Sequence, residues 1–184
     1  MQEVRVYFGG QIANLYDIGY LSTDLYQLIA FSELIDQKED KDIERWFGDK
    51  SRPFNRYASV LDKYRKSSEI SEARGGSLEI VVQVAALISS IVIPLVAVYI
   101  QLQNSHAVNN SVSFEISVKD PRLQHLLELF REGHFGRGAE AIDSLFQALK
   151  ERGYDVELRS GDAFVIHDTL QKYSQRMVRT MQRP

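Results

Sequence analysis

Ile80–Leu102 reads IVVQVAALISSIVIPLVAVYIQL, with no Asp, Glu, Lys or Arg in it, and the next formal charge is Glu115. A helix rising about 1.5 Å per residue needs about 20 mainly apolar residues to cross about 30 Å of hydrocarbon. The run is long enough, and it stands alone in a chain of 184 residues. It predicts a single transmembrane helix between two charged parts. The competing reading is a buried core helix, or a strand followed by a helix. Gln83 inside the run, Pro94 near its middle, Glu79 just before it and a β-branched start favour that alternative. The spanning reading takes precedence because a chain of this size has little core in which to hide an apolar helix on every side. Proline is also better tolerated in membrane helices than in other helices.

A stripe runs along the predicted span. At about 100° per residue, Gln83, Ala86, Ser90, Pro94, Ala97 and Gln101 fall within an arc of about 80°. Helices in lipid associate through small residues, with amides and hydroxyls as partners. The stripe therefore predicts an oligomer contact or the lining of a pore, against the plainer reading of a helix that only anchors. With no second span in the chain, the partner is another copy or another protein.

The charged flanks orient the span. Lys63, Arg65, Lys66 and Arg74 precede it, and Lys119 alone follows closely. The positive-inside rule places the N-terminal part in the cytoplasm. That N-terminal beginning, MQEVRVYFGG, lacks the basic start and apolar stretch of a signal peptide. The net charge of -3 implies no polyionic partner, and the absence of cysteine excludes disulfides and thiolate metal sites.

The flanking parts read as α+β. Residues 1–79 form an N-terminal domain: a strand at 3–8, a helix over 11–36, an acidic-basic stretch carrying Trp46-Phe47, and a helix over 54–66. SEISEARGGSLEIVV then alternates on both sides of Gly75-Gly76, the pattern of a β-hairpin running into the span. The span covers 80–102 and a polar linker covers 103–113. The C-terminal domain, 114–184, reads β-α-α-β-β-α, a small α+β fold. Its elements are a strand SVSFEISV, a helix opened by Asp120-Pro121, a second helix ending at Gly153, a hairpin of YDVELRS with AFVIHD, and a last helix over 169–181.

Gly76, Ser77, Leu78, Glu79, Ile80 and Val81, before one hydrophobic helix and after a helical segment, carry a likeness. The arrangement resembles small bacterial single-pass membrane proteins of unknown function. That resemblance covers part of the chain and implies an accessory or effector role in bacterial defence or signalling systems.

Residues for chemistry are sparse. His106, His125, His134 and His167 lack the spacing and carboxylate company of a metal helix, so no metal or cofactor is expected. GHFGRG, residues 133–138, lacks the lysine of a phosphate loop and reads as a turn between helices. Ser144 and Ser160 have no arranged histidine and acid, so no catalytic residue is assigned and no enzyme is expected. Lys172, Arg176, Arg179 and Arg183 share one helical face, the form of a contact for an anionic ligand or lipid headgroups, with a merely solvated face as the plainer reading. Specific nucleic-acid binding is not predicted. The expected function is a homo-oligomeric single-pass membrane effector or signalling component. The alternatives are a membrane-tethered adaptor recruiting a partner protein, and a soluble assembly module with a buried apolar helix.

Overall fold

The computed structural model describes residues 2–8, 15–48, 68–74, 78–104 and 114–182. The helix expected over 54–66, the Gly75-Gly76 turn, His106 and Arg183 lie outside those residues. In chain order the elements are β1 (Gln2–Phe8), α1 (Leu15–Asp36), α2 (Asp40–Phe47), β2 (Ser68–Arg74), β3 (Leu78–Val84), α3 (Ser89–Asn104), β4 (Phe114–Val118), α4 (Pro121–Arg131), α5 (Gly138–Glu151) and α6 (Asp162–Met181).

The strands form one antiparallel sheet in the order β2-β3-β1-β4. Side chains of a strand alternate between faces, so a strand with one buried face alternates apolar and polar. In β1, Val4 and Val6 are buried and Arg5 is exposed. Val6 lies opposite Ile80 and Ile116 on the inner face; on the other face Arg5 lies opposite the exposed Ser117 and the buried Val81. The inner face, with Val4, Val6, Ile80, Val84 and Phe114, joins the main core.

The run Ile80–Leu102 is divided between two elements. Ile80–Val84 completes β3, Ala85–Ile88 turns, and Ser89 begins α3. Ser89 N–H donates to the Ala86 carbonyl at 3.2 Å and Ser90 N–H to the Leu87 carbonyl at 3.0 Å, which closes that turn. The β-branched start that Gln83 interrupts is thus an inner strand, where Val and Ile are favoured. With 16 residues, α3 spans roughly 24 Å, less than a bilayer core. Among the described residues no helix is long and apolar enough to cross a membrane. The expected transmembrane helix over 80–102 is therefore corrected, and with it the placement as a single-pass membrane protein with its N-terminal part in the cytoplasm.

The physical reason lies around α3. Every residue from Ile88 to Ile100 is buried, and the helix packs against α1, α6, α4, β1 and β4. Neighbours on every side replace the lipid that the composition suggested. A chain this short does hold a helix apolar on all faces, because both flanking parts close over it. The N-terminal strand β1 sits between β3 and β4, so the sheet crosses from one side of the run to the other.

The C-terminal order also differs from β-α-α-β-β-α. Among the described residues after β4 there is no strand: 154–159 has no regular secondary structure, and Asp162–Met181 is one helix. AFVIHD, expected as a strand, is its first two turns. Ala163, Ile166, Leu170, Tyr173 and Met177 recur at helical spacing and are buried. Gly161, at φ +94, makes the left-handed entry that a side chain resists. The Asp162 carboxylate accepts from Arg159 N–H at 2.8 Å and fixes the approach. The Asp120-Pro121 start holds: the Asp120 carboxylate caps α4 by accepting from Arg122 N–H at 2.9 Å. GHFGRG is the turn between α4 and α5.

Candidate functional site

β4 ends the sheet, and a groove runs beside it. α4 leaves β4 by the Lys119–Asp120 corner and doubles back, forming the opposite wall. α3 provides the floor. The cavity is about 510 Å³; it is lined by Arg5 and Tyr7 from β1, Glu79 from β3, Glu115, Ile116 and Ser117 from β4, Gln124, Leu127, Glu128 and Arg131 from α4, and Pro94, Ala97, Val98 and Gln101 from α3, so it reaches across the sheet as well as along its edge. Small side chains on the floor are what leave it open. Pro94 and Ala97 bury little volume where Ile or Leu elsewhere on α3 fills the core.

Charged side chains, Arg5, Glu79, Glu115, Glu128 and Arg131, line much of the groove. Gln124 lies across the corner: its Oε1 accepts from Val118 N–H at 3.2 Å, while its Nε2 donates to Glu128 at 3.3 Å. Arg131 ends α4 and is exposed. On the outer sheet face Glu79, Tyr7 and Glu115 form one row across three strands. Arg5 beside them is engaged by Glu3 at 3.0 Å and reaches Glu79 at 4.0 Å. Hydrogen bonding from Arg5 holds the Glu3 carboxyl below its ordinary value, against a smaller opposing effect of burial. Among the described residues, Glu115 and Arg131 have no ion pair. The hydroxyls of the lining are Tyr7 and Ser117, and no histidine accompanies them.

The stripe predicted from the sequence is divided. Pro94, Ala97 and Gln101 come together along the groove. Gln83 is on the outer face of β3, opposite Glu3. Ala86 lies in the turn before α3, where its N–H donates to the buried Glu33 carboxylate at 3.3 Å. Ser90 is fully buried, and its hydroxyl donates to the Leu87 carbonyl at 2.6 Å. Ser90 and Ala86 thus serve the bend that ends β3.

The basic face of α6 is divided rather than presented whole. Lys172 pairs with Asp168 one turn earlier at 2.6 Å. Arg176 reaches α1, where its guanidinium donates to the buried Asp24 carboxylate and, at 2.7 Å, to Gln27 Oε1. The same Gln27 oxygen accepts from the Tyr173 hydroxyl at 2.9 Å, and Arg176 stacks over the Tyr173 ring at 4.5 Å. Arg179 is exposed, and Arg183 lies outside the described residues. Of the histidines, His167 Nδ1 shares a 2.6 Å hydrogen bond with the Tyr99 hydroxyl, joining α6 to α3, and His134 meets Glu132 at 3.1 Å.

The groove residues Glu115, Ile116, Leu127 and Arg131 were not singled out from the sequence. The alternation of SVSFEISV does place Glu115 and Ser117 on one face. That β4 is an edge strand depends on the sheet order, which no local pattern carries.

No family model matches the chain, and neither a curated protein nor a solved structure matches it.

Proposed function

We propose that this chain is a protein-interaction module, an adaptor or assembly component whose apolar helix is its own core. The observation that supports this is the groove between the edge strand β4 and α4. An edge strand left open beside a groove is a ready surface for another chain, because its outward backbone groups seek partners. Recognition is favoured over catalysis because the groove holds no nucleophile arranged with a base. The apolar run supports the same reading from the other side. Its side chains from Ile88 to Ile100 are consumed by the fold, and it contributes part of the groove's floor.

The test is site-directed photo-crosslinking of the full chain in the cells that express it. A photoreactive residue replacing Ser117 is expected to yield discrete adducts of higher mass. The same residue replacing Gln147, exposed on α5, is expected to yield none. Equal labelling at both positions, or none at Ser117, would remove the groove as an interaction surface.

A further inference from the structure

We propose that α2 is a strap: latched to the turn before α6 by Asp40 and Arg159, it opens as a unit about Lys38, ahead of the rest of the fold, and uncovers the aromatic rings of Phe31 and Tyr173. No residue of α2 lines the groove beside β4. With eight residues α2 is too short to stand as a helix alone in water. Its N-cap is Glu39, whose side chain makes no capping bond. Its stability therefore comes from docking. Ile43 and Phe47, one turn apart on one face, are its buried side chains. Phe47 sits against Phe31 of α1 at 5.0 Å between ring centroids and against Tyr173 of α6 at 6.3 Å. Trp46 beside it is half-buried, and its indole N–H is enclosed with no hydrogen-bond acceptor among the described residues. A buried donor left unpaired favours any state in which water reaches it.

The hinge carries strain. At the end of α1, Lys38 N–H donates to the Ile35 carbonyl at 3.1 Å and Glu39 N–H to the Leu34 carbonyl at 3.0 Å. In that closing pattern glycine normally takes the left-handed position. Here Lys38 takes it, at φ +60, and among the described residues no other non-glycine residue has positive φ. Swinging α2 away frees that backbone. The latch is exposed and shared. Arg159 donates through Nη1 and Nη2 to the two carboxylate oxygens of Asp40, at 3.1 and 2.6 Å. It also donates to the Asp162 carboxylate at 3.3 Å. The Asp40 side chain is 71 % exposed and that of Asp162 10 %. When the strap opens, Arg159 keeps Asp162 and Asp40 meets water, so neither charge is stranded. An exposed ion pair adds little stability, so the latch holds α2 without locking it.

The experiment is hydrogen exchange of the full chain read by mass spectrometry, with acrylamide quenching of Trp46, the chain's one tryptophan, as the second readout. Corrected for intrinsic rates, the amides of α2 are expected to exchange at least about ten-fold faster than those of α1 and α3. Asp40→Ala, at an exposed position, should speed exchange in α2 about two- to five-fold and raise the quenching of Trp46, with α1 and α3 unchanged. In a chain already carrying Arg159→Ala, the same substitution should have little effect. Lys38→Gly should slow exchange in α2 about two- to three-fold, because glycine takes the left-handed position without strain. Equal exchange in α2 and α3 would mean that α2 opens only with global unfolding, and overturns the proposal. So does faster exchange in α2 with no rise in Trp46 quenching, the signature of a helix fraying in place. An Asp40→Ala effect undiminished by Arg159→Ala removes the latch and the proposal with it.

Discussion

Two aspartates show how burial and hydrogen bonding push a carboxyl in opposite directions. Asp120 caps α4 and accepts from the Tyr154 hydroxyl at 2.7 Å. That hydroxyl first, and the cap N–H groups after it, hold the Asp120 carboxyl below its ordinary value. A group with a lowered folded pKa contributes its stability above the unfolded value of about 4 and loses it as pH falls through the folded one. Asp120→Ala should therefore cost about 1–2 kcal/mol at neutral pH in urea unfolding, and less in acid. Asp24 is the reverse case. Burial raises its carboxyl against the pull of Arg176. Its contribution is full below about pH 4 and is lost as pH rises through the raised value. The stability of the native chain relative to Asp24→Asn should fall between about pH 4 and neutrality, measured by urea unfolding across that range. Asp24→Ala, which leaves Arg176 without its acid, should cost about 2–3 kcal/mol, less than a fully buried pair because Arg176 is 37 % exposed. Asp120 was legible in the sequence because its partner, Arg122 N–H, is two residues away. Asp24 was not, because Arg176 is 152 residues distant.

At the scale of the element, α3 decides the reading of the chain. Ile91 and Ile100 lie about 180° apart around the helix, and both are at most 2 % exposed. A helix anchored in lipid tolerates truncation on its lipid-facing side. A helix enclosed by protein does not. Ile91→Ala and Ile100→Ala should each cost about 2–5 kcal/mol in chemical unfolding. A negligible loss at either position would mean that one side of α3 is not packed. The β2–β3 pairing was readable from alternation, although Ile80–Val84 was read into the span, and the start of α4 was readable from its capping residue. The first turns of α6 were not. AFVIHD reads as a strand in isolation, and its helical continuation through Leu170, Tyr173 and Met177 becomes decisive only once α3 and α1 cover that face. The stripe read from Gln83 to Gln101 is not one helical face, because Gln83 lies in β3 and Ala86 in the turn before α3. Pro94, Ala97 and Gln101 line the groove, while Ala86 and Ser90 serve the bend that ends β3.

For the whole molecule, the sheet and the helices both close across the apolar run. β1 lies between β3 and β4, and α6 packs on α1 as well as on α3. The full chain should thus unfold in one cooperative transition by calorimetry, while a fragment of residues 1–79 should show none. That fragment lacks β4 and all but the first two residues of β3, so β1 loses nearly all its pairing in it. A cooperative transition in residues 1–79 alone would show that the N-terminal part is independently stable.

The amino-acid sequence by itself determined that Ile80–Leu102 must be hidden from water, that the flanks are α+β, and where glycine and aspartate turn or cap the chain. These follow from local chemistry: transfer of apolar surface is favourable wherever it ends, and caps and turns are made within a few residues. The tertiary structure alone decided what does the hiding. Burial against lipid and burial against protein are alike to an apolar side chain, since the effect is non-directional. The choice was made by distant partners: α1, α6 and β4 enclosing α3, β1 inserting between β3 and β4, and Arg176 reaching back to Asp24. The same packing left β4 at the edge, with a groove beside it.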